Sequence, residues 1–223
     1  MAIKKQWKEA ELVQTFNLDR ITEYQTPLMQ EWLDVGLPVF TDFEQYSFND
    51  LYSKGVKNIA GWSEEDLKMK FLSFLLQLGN MTDEGKIVTF FDKKLTGVVE
   101  GISLSVKSDF MLAKGFMNIY ETPYFHFHAG GVPQYKPQIN PTGEPMAQLL
   151  EACLIAQGKN THDGFNLPLY GCEIVGGTWR FITMEGKQYC ISNFYDCTNR
   201  EDLLKIVSIL RKFKKLLIER WLN

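Results

Sequence analysis

Hydrophobic residues recur at helical spacing between residues 62 and 80, at Leu67, Phe71, Phe74, Leu75 and Leu78. This apolar face predicts an amphipathic helix. Ser63 can cap its first turn, and Asp66, three residues later, can return the hydrogen bond. Gly79 follows the last apolar position and predicts the end of the helix.

Residues 86–112 are predicted to form strands, and polar and apolar residues alternate in the last of them, from Ile102 to Leu112. The stretches KIVTFF and LTGVV predict strands, and Glu100-Gly101 predicts a tight turn into another one. In that strand one predicted face is apolar and carries Ile102, Leu104, Val106, Phe110 and Leu112. The other predicted face carries Ser103, Ser105, Lys107, Asp109 and Met111. We expect Asp109 to line a cleft between flanking helices.

The rest of the chain continues this mixture of strands and helices. YFHFH, LYGCEIVGG and the two halves of WRFITM-EG-KQYCISNF predict strands, whereas GEPMAQLLEACLIAQ predicts a helix. A capping box of Thr198 and Glu201 begins a last helix over residues 198–222. The predicted fold is α/β (α+β), a mixed sheet flanked by helices. Residues 1–60 are predicted to form a helical or irregular extension packed on a domain of residues 61–223.

Composition limits the classes of function. The chain has 223 residues, 45% of them hydrophobic, which is enough for one globular core. A net charge of −3 excludes a basic field over the whole molecule, so any nucleic-acid-binding surface must be local. The first residues lack the apolar segment of a signal peptide, and no uncharged apolar run approaches the ~20 residues of a membrane span. These features, with cysteines that show no CxxC spacing, predict a cytoplasmic protein with reduced thiols and no membrane partner.

Two histidines raise the question of a metal site. His126 and His128 are two residues apart on a predicted strand, so their imidazoles share a face and can bind Zn, Ni or Fe. A metal site also needs a third ligand, and the remaining histidine, His162, lies in a stretch rich in Gly and Asn. Two polar-face histidines without a metal role are the favoured interpretation, and a metal-dependent protein stays an alternative.

Polar side chains on either side of this strand suggest chemistry on phosphates. Asp109 is followed along the chain by Gln134 and Lys136, at alternate positions of a strand, and by Gln148 on a helix. Two acids, with a lysine two residues beyond the second, can hold a divalent cation and stabilise charge that develops on a phosphate. Here Gln134 occupies the position of the second acid, and an amide oxygen brings no charge to a metal.

Residues 62–191, with these motifs, resemble the PD-(D/E)xK, or restriction-endonuclease-like, nuclease superfamily and look closest to its uncharacterised bacterial members. The segments that carry the resemblance are VVEGISLSVKSDFMLAKG, PYFHFH, YKPQINPTGEPMAQLLEACLIAQ and LYGCEIVGGTWRFITMEGKQYCIS. The resemblance implies a core of one helix, a three-stranded meander, a second helix and a further strand. It also implies hydrolysis of phosphodiesters with Mg²⁺ or Mn²⁺, with DNA favoured over RNA as the partner.

The resemblance also implies a role for each matching residue. The implied catalytic residues are Asp109, Gln134, Lys136 and Gln148, and the implied metal ligands are Asp109, Glu65 and Gln134. Glu64, beside Glu65, is the alternative for the acid on the first helix. Because Gln134 replaces a carboxylate, we expect metal affinity to be low unless another acid, such as Glu144, takes its place.

The segment Ala-Gly-Gly-Val-Pro at residues 129–133 interrupts the chain before Lys136. Proline removes a hydrogen-bond donor from a sheet and glycine weakens a strand, so we predict that this segment is not regular strand. The interruption and the missing acid together predict that hydrolysis is absent or severely reduced. A non-catalytic module of the same fold, binding nucleic acid or protein, is the alternative.

The last predicted helix offers a second candidate surface. Its apolar stripe consists of Ile206, Leu210, Phe213, Leu217 and Trp221, and its opposite arc carries Lys205, Arg211, Lys212 and Lys215. These basic residues either contact nucleic-acid phosphates or balance the helix dipole at the C-terminal end. The sequence leaves a homodimer open.

Overall fold

Helices and strands alternate in blocks along the chain. The computed structural model describes residues 6–21, 26–116, 119–130, 144–164 and 166–221, with the backbone alone at 119–122, 124–130, 220 and 221. The helices are α1 (Glu9–Phe16), α2 (Pro27–Leu33), α3 (Asp42–Asn58), α4 (Glu64–Leu67), α5 (Ser73–Leu78), α6 (Pro145–His162) and α7 (Arg200–Trp221). The strands are β1 (Asp19–Ile21), β2 (Ile87–Val99), β3 (Ile102–Phe116), β4 (Ile119–Gly130), β5 (Leu169–Val175), β6 (Thr178–Glu185), β7 (Gln188–Ile191) and β8 (Tyr195–Asp196). A 3-10 turn (Ile59–Gly61) precedes α4, and a π-helical turn (Lys68–Leu72) joins α4 to α5.

The strands of the described residues form one sheet in the order β1-β7-β6-β5-β4-β3-β2, and β8 pairs with β6. Strands β2, β3 and β4 form an antiparallel meander, and β4 then pairs in parallel with β5. The predicted mixed sheet flanked by helices is therefore confirmed. Strand β1 pairs in parallel with β7, so residues 1–60 contain a strand that the sequence did not predict. A strand of three residues has too little pattern of its own to reveal it.

Hydrophobic side chains cover the sheet in two clusters. The α7 cluster combines α2, α3, α4, α5 and α7 with residues such as Phe110 and Tyr170 of the sheet, and the α6 cluster combines α1 and α6 with residues such as Leu104 and Met111. Trp32 of α2 is fully buried, and its indole N–H donates to the Ile209 carbonyl of α7 at 2.9 Å. The first sixty residues thus pack on the rest of the chain and contribute to both clusters.

The helix predicted over residues 62–80 is present, but the π-helical turn changes its face. Ser63 and Asp66 form the predicted capping box, and the helix ends at Gly79. Most of the predicted apolar face is buried, yet Phe74 is 54% exposed, so its prediction as a core residue is wrong. A π turn adds one residue to the helical repeat, which rotates every later position around the axis. With strict α-helical spacing, Leu76 would lie off the buried face of the helix, but after the π turn it is buried.

Strand β3 changes face part-way along its length, which corrects the predicted alternation. Leu104 and Val106 belong to the α6 cluster, whereas Phe110 belongs to the α7 cluster and Met111 to the α6 cluster. At the same level of the hairpin, Asp92 of β2 has a left-handed backbone (φ 52°), and its pairing with the opposite residue of β3 is missing. The predicted turn at Glu100-Gly101 is confirmed, because β2 ends before it and β3 begins after it.

Two other local predictions need correction. Ala129 and Gly130 continue β4 and pair with β5, so the interruption predicted to begin at residue 129 is wrong for these two residues. A parallel neighbour supplies hydrogen bonds that outweigh the low strand preference of glycine. Residues 131–133 lie outside the described residues.

At α7, Asn199 is the cap in place of Thr198, since its side-chain oxygen accepts from the backbone N–H groups of the first turn at 2.9 and 3.2 Å.

Among the described residues, no helix combines the length and the apolar character that crossing a membrane requires.

Candidate functional site

Asp109 lies at the point where two strands of the meander separate. Within the described residues, the ladder between β3 and β4 extends to the pair Phe110–Phe127, and β4 then continues beside β5 alone. Further along β3, the backbone N–H of Ser105 donates to the buried carboxylate of Glu151 on α6 at 2.8 Å. The Asp109 side chain at this fork is 12% exposed. The predicted aspartate is therefore at the edge of an opening in the sheet and not on an open outer surface.

Lys68 forms an ion pair with Asp109. Its ammonium is 2.7 Å from Asp109 Oδ1 and 2.7 Å from Glu64 Oε1, and it is 3.8 Å from Asp92 Oδ1. Glu64 of α4 and Lys68, the first residue of the π-helical turn, are four residues apart on one continuous helical segment, which presents both to the sheet. Burial lowers the pKa of Lys68, but hydrogen bonds to Asp109 and Glu64 raise this pKa by more, to well above the ordinary lysine value. Lys68 therefore stays charged throughout the physiological pH range.

The described residues around Asp109 do not fit a Mg²⁺ site. Magnesium needs carboxylate and water oxygens in octahedral arrangement, and here Asp109 and Glu64 both bind the Lys68 ammonium. Glu65, the predicted helix acid, is exposed to solvent. Across the part of the chain that the structure describes, no group of three or more His, Cys, Asp or Glu side chains is arranged to hold a metal ion.

The other residues predicted for the nuclease motif are only partly placed by the structure. Gln134 and Lys136 lie outside the described residues, so their roles stay predictions. Gln148 is half-buried on α6, which packs in the cluster on the other side of the sheet from Lys68. Glu144 precedes α6, and its carboxylate accepts from the backbone N–H of Glu9 at 3.2 Å.

The three histidines lie on two elements of the described structure. His126 and His128 lie on β4, and their backbones pair with Gly171 and Glu173 of β5. Their side chains are outside what the structure describes. His162 is the last residue of α6. The metal-dependent alternative built on these histidines therefore stays a prediction.

The basic residues of α7 divide into two groups. Arg211 donates to the carbonyls of Leu78 and Val39 at 2.8 and 3.0 Å and forms an ion pair with Glu44. Lys212 approaches the carbonyl of Asp34 at 3.4 Å. Lys205 and Lys215 are exposed, and Lys215 is 3.7 Å from Glu219. The predicted apolar stripe is buried at Ile206, Leu210, Phe213 and Leu217. Half of the predicted basic surface therefore stabilises contacts within the chain.

A surface that the sequence did not single out lies next to Asp109. We call it the hairpin face, and it consists of Phe91, Lys94 and Thr96 of β2 with Ser103 and Lys107 of β3. Lys94 and Lys107 are direct cross-strand partners, and both side chains are exposed. Lys107 is 2.9 Å from Asp92 Oδ1. Alternation in the sequence indicated this face only in part, because the irregularity at Asp92 moves Phe91 onto the same side as Lys94.

Comparison with known proteins adds no relative. A scan of the chain against protein-family models finds no match, and a search of curated proteins finds none. The nuclease resemblance therefore stays a prediction, and the geometry around Asp109 is the ground on which a function is proposed.

Proposed function

We propose that this protein binds nucleic acid on a nuclease-type core and that its Mg²⁺-dependent hydrolysis of phosphodiesters is absent or severely reduced. Two features support the proposal. The order of helix 64–78, meander β2–β4, helix α6 and parallel strand β5 is the order that the resemblance implies. Asp109, the implied first acid, lies at the fork between β3 and β4, where the sheet opens.

The contact between Lys68 and Asp109 supports the proposal that hydrolysis is absent or severely reduced. A divalent cation at Asp109 would have to displace the ammonium from two carboxylates. Hydrogen bonds to charged groups contribute about 1.5–3 kcal/mol each, so displacement lowers metal affinity on the order of tenfold or more for each bond broken. With Gln134 as a neutral residue in the implied position of the second acid, the charge needed for a competent metal site is reduced further.

The test measures binding and cleavage on the same protein preparation. We expect binding of labelled oligonucleotides, seen by fluorescence anisotropy, without Mg²⁺- or Mn²⁺-dependent cleavage of plasmid or single-stranded DNA. Asp109→Ala should leave this cleavage background unchanged. Robust cleavage by the wild-type protein that disappears in Asp109→Ala would show an active nuclease and refute the impaired-site proposal.

Protein binding is a second candidate function, favoured by a groove between α3 and α5. The groove has a volume of about 340 Å³ and is lined by Phe43, Tyr46 and Phe74, which are 78%, 73% and 54% exposed. Clustered exposed apolar side chains mark interaction surfaces. A second copy of the chain is the partner to test first, by sedimentation equilibrium of the wild-type protein and of Phe43→Glu. A concentration-dependent mass that Phe43→Glu abolishes supports this function, and a constant monomer mass contradicts self-association.

A further inference from the structure

Two lysines face each other across the hairpin of β2 and β3. Lys94 and Lys107 are register partners in an antiparallel pair, and both are exposed. Like charges directly opposite each other destabilise a sheet. Asp92 offsets the repulsion only in part, because its carboxylate is 2.9 Å from Lys107 and also 3.8 Å from Lys68. An anion placed between the two ammonium groups would remove the repulsion.

The same face presents an aromatic ring to solvent. Phe91 is 62% exposed, and its ring contacts Phe110 edge to face, with centroids 5.3 Å apart. The left-handed backbone of Asp92 breaks the alternation of β2, so Phe91 and Lys94 point to one side although they are three residues apart. At about 3.3 Å per residue, the ring and the ammonium are roughly 10 Å apart along the strand. The opposite side of the hairpin is covered, since Leu95 and Leu104 are buried in the α6 cluster.

We propose that the hairpin face binds single-stranded nucleic acid, an inference that rests on the proposed nucleic-acid-binding function. Lys94 and Lys107 contact phosphates, and the ring of Phe91 stacks with an unpaired base. The hydroxyl groups of Thr96 and Ser103 lie on the same face and can donate to phosphate oxygens. A basic strip combined with an exposed aromatic ring is the arrangement by which proteins bind single strands, because duplex bases are already stacked on one another.

The choice of this face over α7 follows from what the cations already bind. Arg211 and Lys212 contact backbone carbonyls within the chain, so they would have to give up these bonds to reach a phosphate. On the hairpin face, the repulsion between Lys94 and Lys107 decreases on binding, and Lys107 exchanges an exposed ion pair with Asp92 for a phosphate. The hairpin face also adjoins Asp109, so a bound strand passes beside the fork between β3 and β4.

The experiment compares six proteins, the wild type and five variants, by anisotropy with labelled oligo-dT at two salt concentrations. We expect Phe91→Ala to bind on the order of tenfold more weakly, with an unchanged salt dependence. The double variant Lys94→Gln/Lys107→Gln should bind more weakly and lose about 1.4 from the slope of log affinity against log salt, at about 0.7 for each phosphate contact on a single strand. The rival variant Lys205→Gln/Lys215→Gln should match wild type. Phe91→Trp and Lys94→Arg/Lys107→Arg should retain binding, which separates recognition from folding.

The outcomes distinguish this inference from the function on which it rests. If the wild-type protein binds and none of the hairpin-face variants binds more weakly, the hairpin face is not the binding surface. The proposed nucleic-acid binding is then unaffected. Loss of binding only in the α7 variant overturns it in favour of α7. Equal affinity for a duplex of the same length overturns the preference for single strands. Failure of the wild-type protein to bind any oligonucleotide overturns the proposed function, and the hairpin-face inference with it.

Discussion

The ammonium of Lys68 lies at the same distance, 2.7 Å, from the carboxylates of Asp109 and Glu64, and so joins helix α4 to strand β3. The Lys68 and Asp109 side chains are 16% and 12% exposed, so water screens the pair only partly. A single cation between two carboxylates both fixes the helix on the sheet and offsets half of their negative charge at the site where a metal ion was predicted.

Removing the lysine should destabilise the protein. Lys68→Met removes the ammonium that pairs with the half-buried Asp109 carboxylate, and we expect a loss of about 1–3 kcal/mol in the free energy of unfolding, measured with urea. Adding Asp109→Leu to Lys68→Met should lower the free energy of unfolding little further, because the two residues act as a pair. A double-mutant cycle with a coupling energy near zero would show that the contact does not stabilise the fold.

The same substitution should increase metal affinity. Without the ammonium, the negative charge of Asp109 and Glu64 is no longer offset by Lys68, so calorimetry should detect tighter Mn²⁺ binding in Lys68→Met than in wild type. Lys107→Met, which removes an equal charge from an exposed lysine nearby, is the matched control. Adding Gln134→Glu should tighten binding further if residue 134 occupies the predicted motif position. Equal Mn²⁺ affinity of all four proteins would contradict the interpretation of Lys68 as the obstacle.

Reversing one charge of the hairpin face should stabilise the protein. Lys94→Glu converts the repulsion with Lys107 into a cross-strand ion pair, which is expected to add about 0.2–1 kcal/mol. Thr96→Glu is the control on the same strand and face, because its cross-strand partner is the neutral Ser105. Thermal unfolding should show a higher midpoint for the first variant than for the second. The opposite order would mean that the two lysines do not repel each other in the folded state.

Arg211 should behave as a structural residue. Arg211→Gln removes donors to Leu78 and Val39 and the ion pair with Glu44, and we expect a loss of about 1–3 kcal/mol in unfolding free energy. Lys215→Gln, on the same helix but exposed, should change stability very little. If Arg211→Gln instead binds oligonucleotides more weakly at unchanged stability, this arginine belongs to the nucleic-acid surface predicted from sequence.

Lys214 should make stability rise with pH. It is 1% exposed, its ammonium donates to the carbonyl of Thr82, and burial lowers its pKa below the ordinary value of 10.5. Between the lowered pKa and 10.5 the unfolded chain binds more protons than the folded one, so raising pH favours folding. The unfolding free energy of wild type relative to Lys214→Met should therefore increase as pH approaches 10.5. A difference that is constant with pH would contradict this.

Lys68 should affect the pH dependence of stability in the opposite direction from Lys214, because the pKa of Lys68 is raised. Its contribution is complete below the ordinary lysine value and is lost only when pH rises through the higher folded-state pKa. The difference between wild type and Lys68→Met should hence stay constant from pH 6 to 9, in contrast to the difference for Lys214→Met.

Local signals in the sequence predicted much of the fold. The capping box of Ser63 and Asp66 and the turn at Glu100-Gly101 depend on neighbouring residues, and both are present. The contact of Lys68 with Asp109 joins residues 41 apart in the sequence, so no periodicity could reveal it. The change of face in β3 coincides with one left-handed residue in the neighbouring strand. The contact of Asp109 with Lys68 was therefore missed, and the predicted site itself stays a prediction.

The bond between Trp32 and Ile209 has a consequence for synthesis of the protein. It joins residues 177 positions apart, and β1 similarly pairs with β7 across most of the chain. Because the N-terminal part of a chain is synthesised first, the early helices leave the ribosome before α7, and Trp32 stays uncovered until α7 emerges. Contacts of such long range also slow folding in free solution. This domain should therefore depend on chaperones during translation more than a helical bundle of equal length.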